Sequence, residues 1–245
     1  LRIKSNKIRK ACTGTLISPD LVLTAGHCIK SFHLDDPTPA KEMAIWLGGH
    51  MPAEGFTNVE NGKIIGVESY IVHPAFFENL EKQNPEDKYD IALLKLSRKI
   101  PGDKKFVSLV SSRSNYPEGT NIFLAGYGLI ENIAENGYVR YPKENNQLRV
   151  TSNYIYQYYA GIFEVDQSNR RGTCFGDSGG PAYIEKNNDL VLFGVTSGPT
   201  KYRSQRVFSN EVCYLFISYT DVSVYREFIE ESAKKLQAIS PKFID

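Results

Sequence analysis

Gly172-Thr173-Cys174-Phe175-Gly176-Asp177-Ser178-Gly179-Gly180-Pro181 sets four glycines and a proline around a single serine. Such a run cannot be helix interior or central strand, because glycine loses too much backbone entropy there and proline lacks the N–H. It reads as a tight loop whose backbone comes close to another part of the chain. Ser178 stands between an acid and two glycines, so its hydroxyl is approachable and its N–H can point the same way as that of Gly176. A hydroxyl beside two convergent N–H groups is what acyl transfer needs: a nucleophile, and donors for the oxygen that becomes negative in the transition state. The competing reading is a plain glycine-rich turn, and the upstream sequence weighs against it.

Upstream, Cys12-Thr13-Gly14-Thr15-Leu16-Ile17-Ser18-Pro19-Asp20-Leu21-Val22-Leu23-Thr24-Ala25-Gly26-His27-Cys28 reads as strand, turn at Ser18-Pro19-Asp20, strand, and a corner of small residues. A hairpin of this length brings Cys12 and Cys28 together, and closing that loop contributes on the order of 3 kcal/mol. His27 is then pinned beside a crosslink at a strand end. A lone histidine is more often structural, but one held rigidly suits a general base, which must keep its geometry. His33 and His50 fall in loop-like sequence and are read as loop residues. Tyr89-Asp90-Ile91-Ala92-Leu93-Leu94-Lys95-Leu96 puts Asp90 at the mouth of an apolar strand. If Asp90 is buried it needs a partner, because an isolated buried carboxylate is expensive. An imidazole N–H suits it, since the carboxylate fixes the tautomer and stabilises the imidazolium.

The whole chain bounds the class. Its 245 residues have room for one large domain or two smaller ones. Lys+Arg 29 against Asp+Glu 28 gives net +1, which argues against holding nucleic acid or a membrane surface by bulk charge. Aromatics at 12%, with 15 Tyr and 13 Phe among many short apolar runs, suit an all-β protein. No apolar run nears the roughly 18 residues of a transmembrane helix. Leu1 to Lys10 carry five basic residues and no apolar core, so no signal peptide is read there. Their weak alternation reads as a charged edge strand. Ala44 to Leu47 and Ile64 to Val72 read as strands. Pro101 to Gly119 reads as a connector to a second β-rich half, with strands near Asn121 to Gly128, Gln147 to Tyr154 and Val191 to Gly198. Residues 131–146 read as an exposed polar loop, and Tyr154, Tyr156, Tyr158 and Tyr159 as tyrosines of a half-buried sheet, with the lining of a substrate groove as the alternative. Val222, Tyr225, Phe228, Ile229, Leu236 and Ile239 recur at helical spacing, which predicts a terminal helix. Four cysteines, Cys12, Cys28, Cys174 and Cys213, point to two disulfides and an oxidising compartment, with buried free thiols as the alternative. The count leaves three pairings open.

In chain order, Cys12…His27-Cys28, Tyr89-Asp90-Ile91-Ala92-Leu93 and Gly176-Asp177-Ser178-Gly179-Gly180-Pro181 resemble the trypsin/chymotrypsin-like serine peptidases. The corner Leu23 to Cys28, the Gly126–Gly128 strand end and the terminal helix fit the same family. The resemblance runs from Cys12 to Leu236. It implies an all-β fold of two six-stranded antiparallel β-barrels, with the active site between them and a C-terminal α-helix. An N-terminal barrel over residues 1–110 would carry His27 and Asp90, a second over 111–220 would carry Ser178, and the helix would occupy 221–240. It further implies Ser178 as nucleophile, His27 as general base and later acid, Asp90 as the group orienting His27, and the N–H groups of Gly176 and Ser178 as the oxyanion hole. Disulfides Cys12–Cys28 and Cys174–Cys213 follow from the resemblance too, the second stapling the walls of the specificity pocket. A polypeptide substrate, a proteinaceous inhibitor as a further partner, a monomer, and an extracellular or periplasmic location are implied, with no cofactor, nucleic acid or membrane partner. Gly49 stands where calcium-binding members carry a carboxylate, so no metal is expected.

Two departures from the family matter. Its members are activated by cleavage before an Ile-Val-Gly-Gly-like start, whose amino group pairs with the acid preceding the nucleophile, here Asp177. Eleven residues precede Cys12 and none forms such a start. Asp177 is therefore expected to find another partner, to await a segment outside this chain, or to mark a zymogen-like form. The specificity pocket, by the same resemblance, has its floor at Gly172 and Thr173, its wall at Ser197, Gly198 and Pro199, and its far side at Ile217. No acid stands there to attract Arg or Lys, so an uncharged residue before the scissile bond is expected. Pro199, where glycine is usual, narrows the pocket. Arg170, Arg171, Arg203 and Arg206 keep an acidic preference as the alternative.

These residues point to a secreted serine endopeptidase that works through an acyl-enzyme. The alternative is a zymogen-like or non-catalytic binding protein on the same fold, motivated by the absent activation start and the altered pocket. Against it, no member of the triad is lost. A hydrolase of small esters shares the chemistry, but a cleft between barrels suits an extended peptide better.

Overall fold

Strands dominate the computed structural model, which describes residues 2–5, 11–30, 37–50, 63–76, 78, 89–101, 105–129, 134–135, 138–139, 147–200 and 212–245. Arg203 and Arg206, and the loop position of His33, lie outside these residues. The first sheet contains β1 (Arg2–Ser5), β2 (Ala11–Thr13), β3 (Thr15–Ser18), β4 (Leu21–Thr24), β5 (Met43–Trp46), β6 (Ile64–Val72) and β7 (Ala92–Leu96). Their order is β2-β1-β5-β6-β7-β4-β3. The two ends of that order, β2 and β3, are separated in sequence by Gly14 alone. They are one bent strand, and through it the sheet curls back on itself. β6 shows the alternation of a half-buried strand, with Ile65 and Val67 inward and Gly66 and Glu68 outward. β4 is buried along its whole length, as befits a strand covered on both faces. Val22, Ile45, Ile65, Val67 and Leu94 share the core of this sheet. β1 is not the expected edge strand. It lies between β2 and β5 and is paired on both sides, so it needs no protection against mispairing.

The second sheet begins earlier than the composition suggests. Within the supposed connector, β8 (Ser108–Val110) pairs in parallel with the later β16, a three-residue strand too short to show a period. β9 (Asn121–Gly126) follows; then β10 (Ala134–Glu135) and β11 (Tyr138–Val139) form a hairpin of their own inside the stretch read as a loop. β12 (Arg149–Tyr154), β13 (Gln157–Tyr158), β14 (Ile162–Asp166), β15 (Pro181–Lys186), β16 (Asp189–Pro199) and β17 (Phe216–Asp221) complete the path β12-β9-β15-β16-β17-β14-β13. Its ends are again one bent strand, since only Ile155 and Tyr156 separate β12 from β13. Counting each bent strand once gives six along each of the two paths among the described residues, with β8 lying off the second path. Phe163, Phe193 and Tyr219 fill the second core, with the Phe163 and Tyr219 rings stacked 5.2 Å apart between centroids.

The expected helix is α1 (Arg226–Lys235), which buries Ile229, Ser232 and Ala233 and carries Lys234 and Lys235 in its last turn, where cations suit the helix dipole. Lys95 of β7 donates to the carbonyls of Leu236 (3.1 Å) and Gln237 (2.7 Å), tying the helix end to the first sheet. Beyond it, β18 (Phe243–Ile244) pairs with β8. Between the sheets, Leu21, Leu23, Ile91 and Leu93 from the first pack with Leu192, Val195, Tyr225 and Ile229. This shared apolar cluster fixes the two sheets against each other and frames the site.

Candidate active site

His27 and Asp90 are brought together by neighbouring strands. Thr24, at the end of β4, pairs with Ala92 at the start of β7, so the residues just beyond each strand share one end of the sheet. His27 lies in a short helical turn, Gly26–Cys28. Its Nδ1 is 2.7 Å from Asp90 Oδ2, and its backbone N–H donates to Asp90 Oδ1 at 2.8 Å. Asp90 is only 3% exposed. Two residues of the second sheet clamp it: Ser197 donates its hydroxyl to Oδ2 at 2.6 Å, and Thr220 donates to the Asp90 carbonyl at 3.0 Å. Ser197 can do so because the β16–β17 pairing skips it at a bulge, and bulges re-aim side chains. The residue before Asp90, Tyr89, has a left-handed φ of 44°, a strained value for a tyrosine. Its ring is held by stacking on His73 at 4.9 Å and by the edge of Tyr225 at 5.9 Å.

Burial alone would push the Asp90 carboxyl up. The charge of His27, the hydrogen bonds from its ring and backbone and the Ser197 hydroxyl outweigh burial and hold the carboxyl below its ordinary value of 3.8. A carboxyl depressed by folding contributes stability above its ordinary value, and that contribution is lost as pH falls through the lower folded value. Asp90→Asn is therefore expected to be less stable than the wild type near neutral pH, with the gap closing below about pH 4. Urea unfolding of both proteins across that range reads the difference.

The Ser178 loop passes between the sheets, and its glycines are required there. Gly176 and Gly179 have φ of 99° and 77°. A Cβ at Gly179 would overlap the Thr24 hydroxyl and the Thr13 carbonyl. Ser178 accepts the Thr13 N–H on its carbonyl at 2.8 Å, and Cys28 Sγ lies 3.6 Å from that same carbonyl. The serine thus sits beside the residue that follows His27. Gly179 donates to the Thr196 carbonyl at 2.8 Å. Among the described residues, no acceptor takes the N–H of Gly176 or of Ser178. Both donors are available to a negative oxygen, and a hydroxyl, an imidazole with an oriented ring and two open N–H groups together can carry out acyl transfer.

Asp177 is 7% exposed and has backbone partners: the N–H groups of Gly128 (2.7 Å) and Cys174 (2.9 Å). Side chains at Gly126 or Gly128 would overlap its carboxylate, which explains the glycine pair at that strand end. Both disulfides, Cys12–Cys28 and Cys174–Cys213, are formed. Cys12, His27 and Cys28 are the grouping of ligand atoms found among the described residues, and its two sulfurs are bonded to each other.

Thr13 is a candidate site residue that the sequence did not reveal. It is 1% exposed, donates its hydroxyl to the Gly176 carbonyl at 2.9 Å, and accepts the Tyr127 N–H at 3.4 Å. It sits beside Cys12 in a strand and touches a loop 163 positions away, a link only tertiary structure shows. Thr13→Val keeps the shape and removes the hydroxyl. Its kcat is expected to fall about tenfold with KM little changed, the cost of one hydrogen bond. Thr13→Ser should restore kcat, and steady-state kinetics on both variants checks this.

Of the residues assigned to the pocket, Thr173, Gly198, Pro199 and Ile217 meet along β17. Thr173 shares a hydrogen bond with Tyr219 between their hydroxyls at 2.9 Å. Ser218 donates to the Gly198 carbonyl at 2.8 Å, and Pro199 is in register with Ile217. Ile217 is buried within the apolar cluster of the second sheet, and a Cβ at Gly198 would meet open space. Arg170 stacks its guanidinium on Tyr214 at 5.1 Å, and Arg171 is exposed. The expected tyrosine group divides. Tyr154 and Tyr156 are exposed, while Tyr158 packs on Phe163 and Phe193.

The family model described as Trypsin matches residues 1–224. The chain is similar to Trypsin Tyr p 3.0101 of Tyrophagus putrescentiae, at 29% identity over 91% of this chain and 72% of that protein. It is similar to Hypodermin-B of Hypoderma lineatum at 26% identity, over 91% and 78%. It is similar to Trypsin of Sarcophaga bullata at 26% identity, over 92% and 80%. Two curled antiparallel sheets, a glycine-lined serine loop and a family match over nearly the whole chain lead to one conclusion: the chain belongs to the trypsin family of serine endopeptidases.

Proposed function

We propose that this peptidase cleaves polypeptides through a Ser178–His27–Asp90 triad. The observation that carries the reading is the His27 ring held 2.7 Å from a buried, doubly clamped Asp90, beside a serine loop with two open N–H groups. Asp90 keeps the proton on Nδ1, so Nε2 carries none and can act as base. Ser178 Oγ attacks the substrate carbonyl carbon while its proton passes to His27 Nε2. The oxygen that becomes negative lies against the N–H groups of Gly176 and Ser178. Collapse breaks the C–N bond, His27 gives its proton to the departing amine, and the acyl group stays on Ser178. Water then attacks with His27 again as base, which releases the acid and restores the serine.

The bonds from Gly128 and Cys174 to Asp177 favour an active form over a zymogen-like one, since they hold the acid next to the nucleophile. The two disulfides favour secretion into an oxidising compartment. The absence of an acid at Gly172, Thr173 and Ile217 favours an uncharged residue before the scissile bond. The two sheet paths support the division into two barrel domains, and the pairing of β8 with the second sheet favours ending the first ahead of β8 rather than at residue 110. A denatured protein substrate tests the activity. New N-termini, found by mass spectrometry and suppressed by a serine-directed inhibitor, are expected. Turnover of small esters with no cleavage of any peptide bond would overturn the reading in favour of an esterase.

A further inference from the structure

Gln167 lies just beyond β14 and is completely buried. Its side chain turns inward rather than to solvent. Nε2 donates to the carbonyls of Thr173 (2.9 Å) and Cys213 (3.1 Å). Oε1 accepts the Thr173 N–H (2.6 Å) and the Thr173 hydroxyl (3.3 Å). A carboxamide offers two donors and two acceptor sites, and all four are used. The amide therefore crosses between the two segments that the Cys174–Cys213 disulfide joins. A Cβ built on Gly172 would fall directly on this carboxamide. Gly172 has no left-handed φ. Its lack of a side chain answers to space, not to backbone conformation.

We propose that Gln167 is a specificity-determining residue: its carboxamide fills the volume that a side chain at position 172 would take and closes the base of the pocket with a neutral, fully bonded group, so the site accepts short uncharged side chains before the scissile bond. The inference rests on the pocket reading given under the proposed function. Two consequences follow from the geometry. Gln167 has no hydrogen-bonding capacity left for a substrate, so a long polar or cationic head pushed against it would be buried without a partner, which is costly. The Thr173 hydroxyl is spent in the same way, on Gln167 and on Tyr219. An acid placed at 172 also has no room while Gln167 stands, so charge specificity cannot be changed there by one substitution.

The test uses the wild type, Gln167→Ala, Gly172→Ala and the double variant. Each is titrated with a fluorophosphonate that labels competent sites, then assayed on peptide amides that differ only in Ala, Val, Leu, Phe or Lys before the cleaved bond. Wild type is expected to favour Ala and Val over Phe and Lys by about tenfold or more in kcat/KM. Gln167→Ala should shift that ratio toward Leu and Phe by about tenfold, chiefly through KM. Gly172→Ala alone should lose labelling or turnover by about tenfold on every substrate, and the double variant should recover it. Where Gln167→Ala does not fold alone, this recovery carries the test. Full labelling of Gln167→Ala with unchanged ratios would overturn the proposal, as would Gly172→Ala with wild-type kinetics. Wild-type protein that takes no label would overturn the catalytic reading instead.

Discussion

Ser178→Ala is expected to fold as the wild type does and to lose turnover about 10⁶-fold in kcat. The loop around Ser178 is held by backbone groups. Thr13 donates to the Ser178 carbonyl, Gly179 to Thr196 and Gly180 to Asp177, and Gly128 and Cys174 donate to the Asp177 carboxylate. None of these bonds uses the serine hydroxyl. Removing the hydroxyl deletes the proposed nucleophile and breaks none of these bonds, so thermal unfolding should match the wild type while hydrolysis disappears. The residual rate would come from the open N–H groups and binding alone. A variant with wild-type turnover would show that the chemistry lies elsewhere.

Asp90→Asn is expected to cost about 10⁴-fold in kcat, the size known for this substitution in the template enzymes of the family. The reason lies in the two contacts to His27. A carboxylate accepts from both the ring Nδ1–H and the backbone N–H. An amide oriented to accept the backbone N–H turns its NH₂ toward Nδ1 and favours the other tautomer. Nε2 then carries the proton and cannot take one from Ser178. Ser197, 2.6 Å from Oδ2, loses an acceptor as well. KM should change far less than kcat, because no group that touches substrate has moved. A loss smaller than about tenfold would mean that Asp90 does not set the tautomer.

The candidate triad and its glycine loop could be picked out from the sequence because each residue sits in a local pattern. His27 ends a small-residue corner, Asp90 opens an apolar strand, and Ser178 lies in a run that only a tight loop accommodates. The sheets were legible in part. β6 alternates and β4 is a continuous apolar run, both of which mark strands. β17 was missed because it mixes apolar and polar residues, yet Ser218, Thr220 and Asp221 are as buried as Tyr219 beside them. Hydrophobic alternation cannot reveal a strand that is covered on both faces with hydrogen-bonded polar groups. β8 is three residues and β18 two, too short for any period. The charged stretch of β1 suggested an edge, but a bent strand beside it supplies the second row of backbone partners. Thr13 and Gln167 were out of reach for another reason. Each acts through bonds to residues that its own neighbours in sequence do not predict, Gly176 for one and Thr173 with Cys213 for the other. Glycines offered a faint trace of both. Gly172 is small because Gln167 occupies its space, and a side chain at Gly179 would overlap the Thr13 carbonyl.

The measurement that tests the central claim most directly is the intact mass of the non-reduced protein before and after exposure to a fluorophosphonate. A starting mass consistent with two disulfides, followed by a single adduct that maps to Ser178, is the predicted result. It would require an activated hydroxyl and open oxyanion donors in the same molecule. A folded, disulfide-bonded protein that takes no adduct, or takes one on another residue, would contradict the account.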